Sequence, residues 1–505
     1  MTDSTLRTSP STPIGGETGS SSGSQTGLHA ALTRRGRKRT KVVATIGPGS
    51  TNEECLRAMF HAGMNVARLN MSHGEHADHL ERLQLVRRLS KEMERPIAIL
   101  IDLQGPKIRT GRLAGGQPVE WKKGAKTVIT VGDCPEGTAA RVGTTYAGLA
   151  KDVTAGSIML VDDGKMRVRV ERIEGDDIHC VVLHGGQLKQ NKGINLPGVH
   201  VSAPSLSDKD KKDLAWGIAN DIDYIALSFV RNGRDVKNLK HRIAESGRTI
   251  PVIAKIEKPE SVENISEILA EADGIMVARG DLGIEISTER LPVVQKSLIS
   301  AANRMGKLVI TATQMLESMI ENPIPTRAET SDVANAIFDG TDAIMLSGET
   351  ATGKYPVEAV SEMLRIAIEA EKSPYMPRLA LDSAAETFDR FSMALTGAAD
   401  LLQRELAANA VLIYSHGPEK ALLLSKRRNA VPLIALCYDE RTWRRLALFW
   451  GIIPLLIPFK EDPNDLLEAG VDEALKHGIL KAGETVVVIF GFSSTGANAI
   501  KVHHV

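Results

Sequence analysis

The chain of 505 residues is long enough for several domains, and its 42% apolar and 25% charged composition is that of ordinary globular proteins. Lys plus Arg equals Asp plus Glu at 62 each, so bulk charge points to neither nucleic acid nor membrane as partner, and any anion site has to be local. The four cysteines, Cys55, Cys134, Cys180 and Cys437, are scattered with no C-x-x-C pair, which fits a reducing cytoplasm and argues against structural zinc.

No apolar run is long enough to span a bilayer. Residues 1–36 are expected to form a disordered tail, because the first 29 are rich in Ser, Thr, Gly and Pro and lack a signal peptide's apolar stretch. The TRRGRKRTK that follows reads as a basic lead-in to a first strand.

From residue 40 a β-then-helix rhythm appears. Strands are predicted at 41–46, 65–69 and 97–101, with a helix capped by Asn52 ahead of Glu53 and Glu54. Residues 105–203 break the rhythm. There Val168 and Val170 alternate with Arg167 and Arg169, and turn pairs such as Asp163-Gly164 separate the runs, which predicts a small β-domain inserted into a larger one and closing with KGINLPG. The rhythm resumes with strands at 224–229, 252–256, 274–278, 307–312 and 343–346, and helices at 261–270, 293–305 and 331–338.

Eight such strands predict a (β/α)8 TIM barrel over 37–104 and 204–371, with the 105–203 β-barrel lid inserted; a doubly wound open sheet is the alternative that the count disfavours. After the proline-bearing KSPYMPRL, residues 372–505 read as a C-terminal α/β domain, regulatory, assembling or purely structural. Its helix is predicted near 391–406 and its strands at 411–414, 433–436 and 486–489.

Chemistry gathers where the barrel strands end. The second supplies Arg68, Asn70, Ser72 and His73; the third supplies Asp102 and then Lys107 and Arg109. The fifth and sixth supply Lys255, Glu257, Arg279, Gly280 and Asp281, and the seventh Thr313. Cations facing acids, with no nucleophile-and-base pair, favour electrostatic catalysis on a phosphorylated substrate. Arginine forks suit phosphate oxygens, and Glu257 and Asp281 are hard ligands for Mg²⁺. Residues 280–282 could turn N–H groups toward a carboxylate at a helix start. Thr313 could relay a proton through water or simply fill a polar layer. Neither a Walker A nor a G-x-G-x-x-G pattern is present.

KVVATIGPGS, NVARLNMSHGE, IDLQGPKIRTG, MVARGDLGIEI, TATQMLESM and MLSGETATGKYP, in this order with the 255–257 stretch, together resemble the pyruvate kinase family over nearly the whole chain after the tail. The resemblance implies phosphoryl transfer from phosphoenolpyruvate to ADP, in a cytoplasmic homotetramer. It implies that Arg68 binds the phosphoryl group, Lys255 stabilises the transition state, and Glu257 and Asp281 hold Mg²⁺, with Mn²⁺ an alternative. Gly280, Asp281 and Thr313 match substrate positions, and Asn70, His73, Arg109 and Lys192 nucleotide positions.

Two departures stand out. K⁺-dependent relatives hold that ion near the positions of Asn70, Ser72 and Asp102 and carry glutamate where this chain has Lys107; an ammonium there predicts little or no K⁺ requirement. Leu103 and Gln104, in place of Thr and Lys, point the same way. In the C-terminal domain, Pro418 and Glu419 replace a hydroxyl-rich phosphate loop, which disfavours fructose 1,6-bisphosphate. Another sugar phosphate or a nucleotide remains as effector, through Ser415, Lys420 and the 491–496 loop. Two rival readings are a Mg²⁺-dependent barrel lyase acting on pyruvate-like substrates and a catalytically silent paralogue.

Overall fold

The computed structural model describes residues 38–377, 379, 381, 387–414, 417–491 and 498–505. The predicted tail therefore lies outside the described residues, as do Ser415 and residues 492–496 of the effector loop.

Eight parallel strands close into a barrel: β1 (Lys41–Thr45), β2 (Val66–Asn70), β3 (Ala98–Asp102), β12 (Tyr224–Leu227), β13 (Val252–Ile256), β14 (Gly274–Ala278), β15 (Leu308–Ala312) and β16 (Ala343–Leu346). Nearly every residue of these strands is buried, as parallel strands covered on both faces require. The helices between them start where their side chains satisfy free N–H groups. Asn52 accepts from Cys55 N at 2.8 Å, and Thr326 and Glu329 cap each other at Arg327–Phe338. The single helix expected over 261–270 is two, Pro259–Glu263 and Ile265–Glu271, meeting at Asn264. Asn264 donates through Nδ2 to Arg231 O at 2.9 Å, and that side-chain bond lies at the break.

Between β3 and β12 lie β4 (Val119–Trp121), β5 (Lys126–Thr130), β6 (Arg141–Gly143), β7 (Ile158–Val161), β8 (Met166–Glu174), β9 (Asp177–His184), β10 (Gly186–Leu188) and β11 (Ile194–Asn195). Six of them form one sheet, β11-β7-β8-β9-β5-β6, and β4 and β10 a separate ribbon. The sheet has two edges, and the segment around Arg109 and Thr110 spans them. Arg109 bridges to Gly193 beside β11, and Thr110 bridges to Thr144 beyond β6. The lid thus closes through a short seam, which Leu113 extends by bridging to Gly137.

The C-terminal sheet is β19-β18-β17-β20-β21, made of β17 (Ala410–Tyr414), β18 (Leu433–Cys437), β19 (Ile452–Leu456), β20 (Thr485–Gly491) and β21 (Asn498–His504). One buried cluster runs from the barrel interior, through Val43, Leu100 and Met276, to Leu433, Leu448 and Val487 of this domain. Tyr224 Oη donates to Arg445 O at 2.6 Å, and Lys41 Nζ donates to Ile452 O at 2.8 Å. The C-terminal domain therefore seals the amino end of the barrel and leaves the carboxyl end to the lid.

Candidate active site

Register decides which side chains meet at that open end. β2, β3, β12, β13 and β14 are consecutive around the barrel, and Asp102 stands level with Asn70 on one side and Ala226 on the other. Asp102 is 1% exposed; it accepts from Arg68 Nε at 2.8 Å and lies 3.1 Å from Lys255 Nζ. Lys255 Nζ also donates to Ser228 Oγ at 2.7 Å and lies 2.8 Å from Glu257 Oε1. The second oxygen of Glu257 accepts from Phe229 N at 2.7 Å, and Arg68 Nη1 donates to Thr45 Oγ1 at 2.8 Å.

Burial alone would lower the pKa of Lys255, but Asp102, Glu257 and Asp281 outweigh it and hold the group above its ordinary value, as an ammonium. Burial would also raise Asp102, and there Lys255 and Arg68 win and lower it. Glu257 goes the other way: burial, reinforced by Asp281, pushes it up against the pull of Lys255. Among the described residues no three His, Cys, Asp or Glu side chains converge as a metal cage. The donor set of Glu257 and Asp281, two carboxylates at the ends of neighbouring strands, suits a hard divalent cation that keeps its other positions for water and substrate.

Thr313 has φ +68° and Gln314 φ +54°, left-handed conformations that cost a β-branched residue most. Arg279 holds them there, donating through Nη2 to Thr313 O at 2.8 Å and to Gln314 O at 3.0 Å while Nη1 meets Asp332 at 2.6 Å. Thr313 Oγ1 in turn accepts from Gly280 N at 2.6 Å and donates to Ala312 O at 2.6 Å. Gly280 does sit in the first turn of a helix, Arg279–Glu285, but its N–H is engaged by Thr313.

The residues expected to hold the nucleotide fall in two places, at the end of β2 and the loop after it, and at the lid seam. Asn70 Oδ1 accepts from Ser72 N at 3.1 Å, and His79 Nε2 lies 2.9 Å from His73 O, fixing the loop after β2. Burial, with Lys107, Arg109 and Arg68 nearby, lowers the His73 pKa, so its ring is neutral at pH 7. Arg109 and Lys192 flank the lid seam: Thr110 N donates to Lys192 O at 2.7 Å, and Arg109 Nη1 donates to Asn191 O at 3.0 Å. Lys192 Nζ is paired with Asp162 Oδ1 at 2.8 Å. Lys107 is exposed and lines the cleft between lid and barrel with Asn195, Lys258 and Asp281.

Thr45, Ser228 and the clamp role of Arg279 were absent from the sequence reading. Ser228 directly follows β12, so the strand-end rule that found Asp102 and Thr313 finds it too. The same rule flags Arg279, which directly follows β14, but not what it grips, because the carbonyls it holds are 34 and 35 residues away.

The family description "Pyruvate kinase, barrel domain" matches residues 37–360, and "Pyruvate kinase, alpha/beta domain" matches residues 394–503. The chain belongs to the pyruvate kinase family. It is 41% identical over 475 residues to a pyruvate kinase of Clostridium perfringens, covering 93% of this chain and 100% of that one. To a pyruvate kinase of Mycobacterium intracellulare it is 43% identical over 475 residues, covering 93% and 98%. A crystal structure of a pyruvate kinase from Cryptosporidium parvum superposes with a TM-score of 0.86 at 36% identity, covering 92% of this chain and 96% of that one. Pyruvate kinases move the phosphoryl group of phosphoenolpyruvate to ADP, giving pyruvate and ATP, and this is the activity of the chain. The barrel-lyase reading falls with that assignment.

Proposed function

We propose that Lys255 is the electrostatic centre of this phosphoryl transfer, with Arg68 binding the phosphoryl group and Glu257 and Asp281 holding Mg²⁺, or Mn²⁺ in its place. The observation that carries this reading is a buried ammonium held between Asp102 and Glu257. When bound, the cation would neutralise phosphoryl and carboxylate oxygens of the substrate.

The bond from phosphorus to the enol oxygen breaks as the bond to an ADP oxygen forms, and the electron pair left behind makes an enolate that takes a proton at carbon. Positive charge fixed at Lys255 and Arg68 stabilises charge as it develops, without reorganisation, because Asp102 already orients both groups. Gly280, Asp281 and Thr313 position the substrate. The Thr313 hydroxyl hydrogen points to Ala312 O, so relaying a proton requires that bond to switch toward water. Asn70, His73, Arg109 and Lys192 hold the nucleotide, with Lys192 exchanging Asp162 for phosphate as the lid engages.

Lys107 supplies the monovalent charge near Asn70, Ser72 and Asp102, so K⁺ is not required. We assign the barrel to 37–104 and 204–371, the lid to 105–203 and the C-terminal domain to 372–505. The chain works in the cytoplasm as a homotetramer, and no helix among the described residues is long and apolar enough to cross a membrane. An effector other than fructose 1,6-bisphosphate, a sugar phosphate or a nucleotide, binds the C-terminal domain near Lys420. The test is pyruvate formation from phosphoenolpyruvate and ADP with Mg²⁺, first with a bulky tetraalkylammonium as the only monovalent cation and then with K⁺. Near-full activity before K⁺ supports the Lys107 assignment, and activity only with K⁺ discards it.

A further inference from the structure

Glu285 closes the helix Arg279–Glu285, four residues after Asp281 and so on the same face one turn on. Its side chain is 1% exposed. One oxygen, Oε1, accepts from Lys258 Nζ at 2.5 Å and from Asn195 Nδ2 at 3.2 Å; the other, Oε2, is buried with no hydrogen-bond partner among the described residues. These two donors come from different bodies. Lys258 directly follows Glu257, and its ammonium stands 5.9 Å from the ring of Phe229, the residue whose N–H holds Glu257 Oε2. Asn195 belongs to β11, the edge strand of the lid beside the seam.

We infer that Glu285 is a positioning residue that couples the lid to the two carboxylates proposed to bind the metal. One buried oxygen gathers the residue after Glu257, the helix that carries Asp281, and the lid. A buried ion pair adds little net stability but fixes geometry, and a carboxylate with one oxygen already unsatisfied is costly to strip of a further donor. When the lid swings away, Glu285 loses its neutral partner, and the helix bearing Asp281 is released from one of its restraints. The lid's position is thereby felt at the metal side of the site and not only at the nucleotide side. This inference rests on the assignment of Glu257 and Asp281 to the metal.

Two measurements on the full chain without substrates test it. The first is amide hydrogen exchange of the peptide containing β11, without metal, in the native protein, Asn195→Ala and Glu285→Gln. Several-fold faster exchange in Asn195→Ala is expected, and exchange equal to the native protein in both variants overturns the latch. The second is Mn²⁺ binding followed by electron paramagnetic resonance. Asn195→Ala, which touches neither metal carboxylate, is expected to weaken Mn²⁺ several-fold. Unchanged affinity overturns the coupling and leaves Glu285 as a lid contact alone. Glu257→Gln is the control: if it leaves Mn²⁺ binding unchanged, the metal assignment fails, and the exchange result still decides the latch.

Discussion

Lys255 Nζ lies 3.1 Å from Asp102 Oδ1, and that distance makes the ammonium a fixed part of the barrel rather than a mobile surface charge. Lys255→Met should therefore lower kcat by about 10²–10³-fold, as when a preorganised charge is removed from a transition state. Because Asp102 also binds Arg68, Lys255→Arg should fail to restore the rate: a guanidinium does not fit the space an ammonium fills between two buried carboxylates. Single-turnover rates with Mn²⁺ affinity measured alongside check this, with affinity changing much less than rate.

The Arg279 clamp makes a second prediction. Arg279→Lys keeps the charge but cannot reach Thr313 O, Gln314 O and Asp332 together. Losing charge-assisted bonds that hold two left-handed residues should reduce kcat by about ten- to a hundredfold, with a smaller effect on the KM for ADP. Steady-state kinetics with each substrate varied separate the two.

Lys107→Glu reverses the proposed source of monovalent charge. Without K⁺ the variant should lose at least about tenfold in activity, equivalent to ~1.4 kcal/mol of barrel-mouth electrostatics, and K⁺ should restore it. A variant equally active with and without K⁺ would show that position 107 does not set the requirement.

The seal between the barrel and the C-terminal domain should respond to alkali. Lys426 is fully buried, 2.5 Å from Asp342 Oδ2 and 2.8 Å from Asn303 Oδ1, and burial lowers its pKa from 10.5 to about 8 despite Asp342. Between those values the unfolded chain binds more protons at this site than the folded one, so this group's contribution to stability rises with pH from about 8 to about 10.5 and is flat below. Urea unfolding at pH 8 and pH 10, compared with Lys426→Met, should show that increment in the native protein and not in the variant.

How much of this was legible beforehand depended on range along the chain. The eight barrel strands were readable because each is a short, mostly apolar run bounded by turn residues. β19 was not, because Pro454 argues against a strand; the structure places it at a sheet edge, where proline is tolerated. β21, which alternates apolar residues with Lys501, His503 and His504, was also unread, and it is the other edge, antiparallel to β20. The strand-end residues were found as types in the right places, but not as partners. Nothing local says that Thr313 Oγ1 would take the N–H of Gly280, or that Lys192 would turn to Asp162.

The sequence by itself determined the strand and helix rhythm, the inserted lid and the chemistry offered at each strand end, because side-chain period and turn composition act over a few residues. Tertiary structure decided the rest. Barrel closure and register bring Arg68, Asp102 and Lys255 together from three strands, Arg279 holds Thr313 left-handed, and the seam at Arg109 and Thr110 closes the lid. Each of those contacts joins residues distant in sequence, and its geometry exists only once the strands have paired.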